Sequence, residues 1–132
     1  MRATLWPEDD LRAHAAEIDE LFKGDGVWAF IAETAEGEPL GFAELAIRPY
    51  ANGCDSRPIP FLEGIWVNPA VRRRGVGARL IAHVETFLTA RGFNELGSDT
   101  PIENDRSQAA HRRWGFEETE RVVYFRKRLT RI

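Results

Sequence analysis

The stretch FLEGIWVNPAVRRRGVGARLIAHVETFL, residues 61–88, constrains the fold more than any other part of the chain. FLEGIWV, residues 61–67, reads as a buried strand, and Asn68-Pro69 closes it. A basic turn, RRRGVG at 72–77, then opens a helix that runs to about Arg91. Leu80, Ile81, Val84, Phe87 and Leu88 recur at helical spacing and line one face. Gly92 stands where a C-terminal glycine stop belongs. A strand that feeds an amphipathic helix through a short turn must pack that helix back onto its sheet, so the chain is a layered α/β protein.

The flanking sequence supplies the other layers. Leu11, Ala15, Ile18, Leu21 and Phe22 predict a helix over 8–22, begun after Pro7 and ended by Gly24 and Gly26. VWAFIAE at 27–33 and LGFAELAIR at 40–48, joined by the turn AEGEP, predict a hairpin. Residues 49–60 form a proline-rich loop. Residues 93–99 predict another strand, 105–114 a shorter helix ended by Gly115, and 119–129 a last strand. No linker or repeat interrupts the 132 residues, so the expectation is one domain.

The first turn of the helix after the basic turn presents unpaired backbone N–H groups and the positive end of the helix dipole. Gly75 and Gly77 put no side chain in the way of an anion, and Arg72, Arg73 and Arg74 add charge. Neither a Walker loop nor G-x-G-x-x-G is matched, because Leu80 stands where the third glycine would be. The glycines by themselves fit a solvated basic turn equally well.

Composition excludes several classes. With 43% apolar and 30% charged residues the chain is an ordinary globular one. Its net charge of −3 argues against a nucleic-acid partner. No stretch approaches the roughly 18 apolar residues of a membrane span, and MRATLWPEDD lacks the apolar run of a signal peptide. Cys54 is the single cysteine, so no disulfide framework is available and a cytoplasmic, reducing setting is expected. No metal-ligand spacing occurs, and His14 and His83 read as structural or exposed.

The spacing Arg72-x-x-Gly75-x-Gly77 after a strand resembles the acyl-CoA pyrophosphate loop of GNAT acyltransferases. Asn104 before a helix that ends in Trp114-Gly115-Phe116 is similar to a second stretch of that family. YANGCDSRPIPFLEGIWV, GFEETERVVYFRKRL, LWP and SDT resemble the aminoglycoside 6'-N-acetyltransferases more specifically, in patches over nearly the whole chain. The resemblance implies the mixed α/β GNAT fold, a mostly antiparallel twisted sheet flanked by helices. Family members usually have a first strand before LWP, and this sequence begins almost at that point, so the expectation is either a short start or a missing first strand.

It also implies acetyl-CoA as cosubstrate, no metal, and a polyamine sugar as acceptor. Cofactor contacts would come from Ile65, Trp66 and Val67, from Arg72 to Arg74, from Gly75, Val76, Gly77 and Ala78, and from Asn104. Trp6, Tyr50, Glu63, Asp99 and Glu120 inherit the substrate contacts. Acidic groups suit a polycation, and flat rings suit sugars and ammonium groups. Plainer roles stand beside these: Asn104 as a helix cap, Trp6 as a staple, and Glu120 as a surface strand residue. Glu63 stands out because it interrupts an apolar strand, where a buried carboxylate needs a partner.

Direct attack in a ternary complex is the implied mechanism. Glu63 or Asp99 would take the amine proton, with backbone N–H groups polarising the carbonyl. Where many GNAT enzymes carry a tyrosine as acid for the thiolate, this chain has His111, which also fits a helix surface. Other amine acceptors, or an acyl-CoA-binding module without catalysis, are the competing readings. The relatives' habit and the apolar last strand make a homodimer the expected assembly.

Overall fold

The structure, a computed structural model, describes residues 17–130. Trp6, His14 and the first half of the helix predicted over 8–22 lie outside them. Strands β1 (Glu17–Gly24), β2 (Val27–Glu33), β3 (Pro39–Arg48) and β4 (Ile59–Val67) pair antiparallel in chain order. The short strand β5 (Gly97–Ser98) joins β4 in parallel and completes a five-stranded sheet. Helix α1 (Val76–Ala90) connects β4 to β5, the expected strand–helix–strand crossover, and helix α2 (Asp105–Arg113) follows.

The core forms where the periodicity of α1 placed it. Leu80, Ile81, Val84, Phe87 and Leu88 are all buried against Phe30, Ala43, Leu45 and Leu62 of the sheet. Each large apolar side chain removed from water contributes about 1.5–3 kcal/mol. Phe87 sits at the centre, edge-on to Trp28 at 5.3 Å and to Phe30 at 5.0 Å. A smaller cluster of Ala51, Ile59 and Phe61, with Cys54 against it, lies beneath the 49–58 loop.

Three expectations are corrected. Residues 17–22 are strand, not helix. Asp25 and Gly26 both have positive φ, 49° and 75°, and form a two-residue hairpin loop between Gly24 and its partner Val27. Asp-Gly is the dipeptide such loops prefer, and it outweighs the helical spacing of Ile18, Leu21 and Phe22. The strand predicted over 93–99 shrinks to Gly97–Ser98. Asn94 and Glu95 instead spend their side chains on the 55–56 backbone and the Ser56 hydroxyl. Residues 119–129 carry no strand; every residue of 117–130 is exposed, with no strand among the described residues to pair with.

Both helices end in the same device. The N–H of Gly92 bonds to the Thr89 carbonyl and that of Phe93 to Leu88, a Schellman stop with Gly92 at φ 86°. Gly115 and Phe116 repeat it on Arg112 and His111. A methyl group at Gly92 would meet nothing within 4 Å, so Gly92→Ala isolates the backbone cost. It should lower stability by about 1–2 kcal/mol, seen as a melting temperature roughly 3–8 °C lower.

Candidate active site

The basic turn leads from β4 into α1 through two tight bends. Asn68 caps a single 3-10 turn, Pro69–Val71, by accepting the Ala70 N–H at 3.0 Å. Arg73 at φ 68° and Gly75 at φ 87° then swing the chain into α1. No side chain caps this helix, and its first backbone bond runs from Arg79 N–H to the Gly75 carbonyl at 3.0 Å. The N–H groups of Val76, Gly77 and Ala78 therefore precede the first intrahelical bond. The two glycines differ in purpose. A Cβ on Gly75 would meet open space, so its left-handed φ is what demands glycine. A Cβ on Gly77 would lie 2.6 Å from the Trp114 ring, so Gly77 makes room for α2's capping tryptophan.

On β4, Leu62 pairs with Leu45 and Gly64 with Glu44, leaving Glu63 as the extra residue of a β-bulge. Its carboxylate has the partner that an interrupted apolar strand calls for. Arg48 donates to it twice, Nε to Oε2 at 2.8 Å and Nη2 to Oε1 at 2.7 Å. The guanidinium lies 3.6 Å over the Phe61 ring. The Glu63 hydrogen bonds, and then the charges of Glu63 and Asp99, hold the Arg48 pKa above its ordinary value against the effect of burial. Glu63 is an exposed residue, its side chain 29% accessible, and not the buried carboxylate that the apolar strand suggested.

Arg48 is also part of the wall of a cleft of about 680 Å³. Asp99, His111 and Glu120 line it too, so three of the expected site residues come together. The wall carries Asp99, Glu103, Glu117, Glu118 and Glu120 against Arg48, Arg112 and Arg121, an acidic balance. The cleft opens beside β5, which pairs with β4 only at Phe61–Gly97 and Leu62–Ser98. From Glu63 to Val67, including Ile65 and Trp66, the outer edge of β4 has no strand beside it among the described residues.

His111 is tightly held. Its Nδ1 lies 2.7 Å from the Ser107 carbonyl oxygen and its Nε2 2.8 Å from the Ser98 hydroxyl. Asn104 caps α2, accepting the Ser107 N–H at 3.0 Å, which is the plainer of its two expected roles. Cys54 lines the cleft, but burial, then Glu95 and Asp55, push its thiol pKa up, so it stays a neutral thiol and a poor nucleophile. Tyr50 is not drawn in. It is 59% exposed, with the Arg57 guanidinium 5.6 Å from its ring. Arg48 and Ser98 are the cleft residues that sequence reasoning passed over. Their partners become visible only once strand register is known.

The chain belongs to the acetyltransferase (GNAT) family, whose model matches residues 2–116. It is 49% identical to the aminoglycoside N(6')-acetyltransferase type 1 of Salmonella typhimurium over 129 residues, 97% of this chain and 88% of that protein. Among solved structures it is similar to the aminoglycoside N-acetyltransferase AAC(6')-Iy in complex with CoA, at 51% identity and TM-score 0.73 over 81% of this chain and 80% of that one. It is also similar to AAC(6')-Iy in complex with the bisubstrate analogue CoA-S-monomethyl-acetylneamine, at 47% identity and TM-score 0.75, covering 98% of this chain and 88% of that chain.

Glu95 ties the 49–58 loop to the segment that leads into β5. Its carboxylate accepts the Ser56 N–H at 2.8 Å and the Asp55 N–H at 3.0 Å. These bonds, Ser56 first, hold the Glu95 pKa below its ordinary value. A lowered carboxylate pKa stabilises the fold fully above the unfolded value, about 4.3, and that contribution is lost as pH falls through the lowered one. Hydrogen-exchange protection at Asp55 and Ser56, corrected for intrinsic rates, should therefore drop in acid, and Glu95→Gln should weaken it already at neutral pH.

Proposed function

We propose that this protein transfers the acetyl group of acetyl-CoA to the 6'-amine of aminoglycosides, by direct attack in a ternary complex. The observation that carries the reading is the acidic cleft lying where β4 parts from β5. A polycationic acceptor is drawn to such a cleft, and the open β4 edge offers backbone groups to an extended cosubstrate arm. The names of the relatives, matched over nearly the whole chain, point to the same reaction.

The residues present fit acetyl-CoA. The uncapped start of α1, with Gly75 in the left-handed region, offers the N–H groups of Val76, Gly77 and Ala78 to a pyrophosphate. Arg72, Arg73 and Arg74 supply positive charge around it, and Asn104 flanks the site from α2. Ile65, Trp66 and Val67 pair with the pantetheine arm and polarise the thioester carbonyl. Bound there, acetyl-CoA supplies the activated acetyl group.

Glu63 and Glu120 hold ammonium groups of the acceptor. Asp99 takes the proton from the attacking amine, because both Glu63 oxygens are already engaged by Arg48. Tyr50, exposed, and Trp6 keep the substrate contacts that the resemblance gives them. The reading takes residues 1–132 as one catalytic domain at work in the cytoplasm. No helix among the described residues is long and apolar enough to cross a membrane, and no group of three metal-ligating side chains occurs among them.

Thiol release from acetyl-CoA should be fast with kanamycin or tobramycin, with the acetyl group on the 6'-nitrogen by NMR. Release with spermidine or a peptide amine alone would discard the aminoglycoside assignment. Asp99→Asn should lower kcat by about 10²–10⁴-fold with the KM for acetyl-CoA little changed; an unaltered kcat removes Asp99 from the reaction.

The assembly in this reading is a homodimer. Val123, Tyr124 and Phe125 are 77%, 81% and 92% exposed, an apolar run that no described residue of its own chain covers. A second copy supplies the cover. Sedimentation should give a dimer mass for the wild type and a monomer for Phe125→Glu; a wild-type monomer at micromolar concentration discards it.

A further inference from the structure

Ser98 stands at the point where the sheet opens. It pairs with Leu62, the last β4 residue that β5 touches, and the next residue along β4 is Glu63. Ser98 lines the cleft, and its hydroxyl lies 2.8 Å from His111 Nε2, itself a cleft residue. The other ring nitrogen, Nδ1, is 2.7 Å from the Ser107 carbonyl oxygen, with the Ser107 hydroxyl at 3.4 Å. A carbonyl oxygen can only accept, so Nδ1 carries a proton in both charge states of the ring. Nε2 is then the nitrogen whose proton comes and goes, and in the neutral ring it accepts from the Ser98 hydroxyl.

The ring's orientation is fixed from several sides. The Asn104 cap holds Ser107 at the start of α2. The His111 backbone carbonyl accepts the Phe116 N–H at 2.9 Å in the Schellman stop. The rings of Phe116 and Trp114 pack against the imidazole at 5.0 and 5.6 Å. A hydroxyl backed by an oriented imidazole is a proton-transfer pair.

We propose that Ser98 is the group that protonates the departing CoA thiolate, with His111 behind it as the reservoir of the proton. The inference rests on the acetyl-transfer reading above and adds a residue to it. The amine lone pair forms the new C–N bond, and the C–S bond breaks with its electron pair on sulfur. Ser98 gives its hydroxyl proton to that sulfur and takes the Nε2 proton of charged His111. His111 is left neutral, with Nδ1–H on the Ser107 carbonyl and Nε2 accepting from Ser98, an arrangement that the 2.7 and 2.8 Å separations accommodate. The surplus proton on the amide nitrogen leaves to Asp99 and then to solvent, and His111 is recharged from solvent before the next turnover. His111 alone, the acid that sequence reading suggests, would have to reach past the hydroxyl that occupies its Nε2.

The competing explanation is that the Ser98–His111 bond merely ties β5 to α2. The test uses the full chain with acetyl-CoA and whichever amine the wild type accepts. Ser98→Ala, Ser98→Thr, His111→Gln and the Ser98→Ala/His111→Gln double variant are compared. A relay predicts a kcat lower by about 10²–10⁴-fold in Ser98→Ala, with both KM values within a few-fold and the melting temperature retained. It also predicts recovery in Ser98→Thr and a double variant no slower than the slower single one. A folded Ser98→Ala with wild-type kcat overturns the proposal, as do multiplying losses in the double variant or an acetyl adduct on Ser98 in the intact mass, which would make it a nucleophile. A tie alone would lower the melting temperature and leave kcat in place. Independently of turnover, nitrogen NMR of ligand-free protein should show neutral His111 protonated on Nδ1; protonation on Nε2 overturns the relay. A wild type that accepts only a non-aminoglycoside amine overturns the acceptor assignment, and the same comparison with that amine then decides on Ser98.

Discussion

A strand can turn residues 62 and 65 toward the same helix only by carrying an odd residue between them, because side chains alternate faces. Leu62 is buried in the core beneath α1 and Ile65 packs against the same core. Glu63 is that odd residue. The bulge it forms is therefore a consequence of packing, and the features of the site follow from it. The carboxylate leaves the regular ladder and meets Arg48 across the Phe61 ring. At the same place β5 stops pairing, so among the described residues β4 runs on to Val67 with β3 alone beside it. One extra residue thus produces the out-of-place carboxylate and marks where the sheet opens.

The helices are held by glycine used in two different ways. Gly92 and Gly115 let each helix close on its own last carbonyls with a phenylalanine folded back. Gly77 lets the Trp114 ring rest on the first turn of α1. The end of α2 is thereby locked to the start of α1, and His111 and Asn104 ride on the same short helix. Without that lock α2 would be a nine-residue helix with no buried residue of its own, too short to hold its shape unaided. The precision at Ser98 and His111 is borrowed from the packing of Trp114 and Phe116.

What could be read from residues alone divides along physical lines. The α1 face, the 27–48 hairpin and the basic turn were legible because each is specified locally, by periodicity or by turn chemistry. Ile18, Leu21 and Phe22 misled because their spacing suits a helix, while Asp25-Gly26 carries the stronger hairpin signal. Residues 119–129 have strand composition, but composition does not provide a partner. In the site, Glu63 was legible as a charge among apolar residues. Arg48 and Ser98 were not, since their importance depends on register, on a bulge and on a helix that returns from elsewhere in the chain.

The Arg48–Glu63 pair bears on how the cleft meets a polycation. Arg48 already satisfies the Glu63 carboxylate, above an aromatic face and close to Asp99. Those surroundings, carboxylates with a ring beneath, are what an ammonium group would itself select. The chain's own guanidinium therefore sits where an acceptor cation would compete. Both partners are partly solvated, so the pair is of modest strength and can be exchanged. Before acceptor arrives, Arg48 keeps Glu63 from standing as an unpaired charge. On the proposed reading, several ammonium groups entering together would meet Asp99 and Glu120 in the cleft wall and Glu63 behind Arg48, more negative charge than Arg48 alone neutralises, and a polyamine would gain over a single amine by engaging them at once.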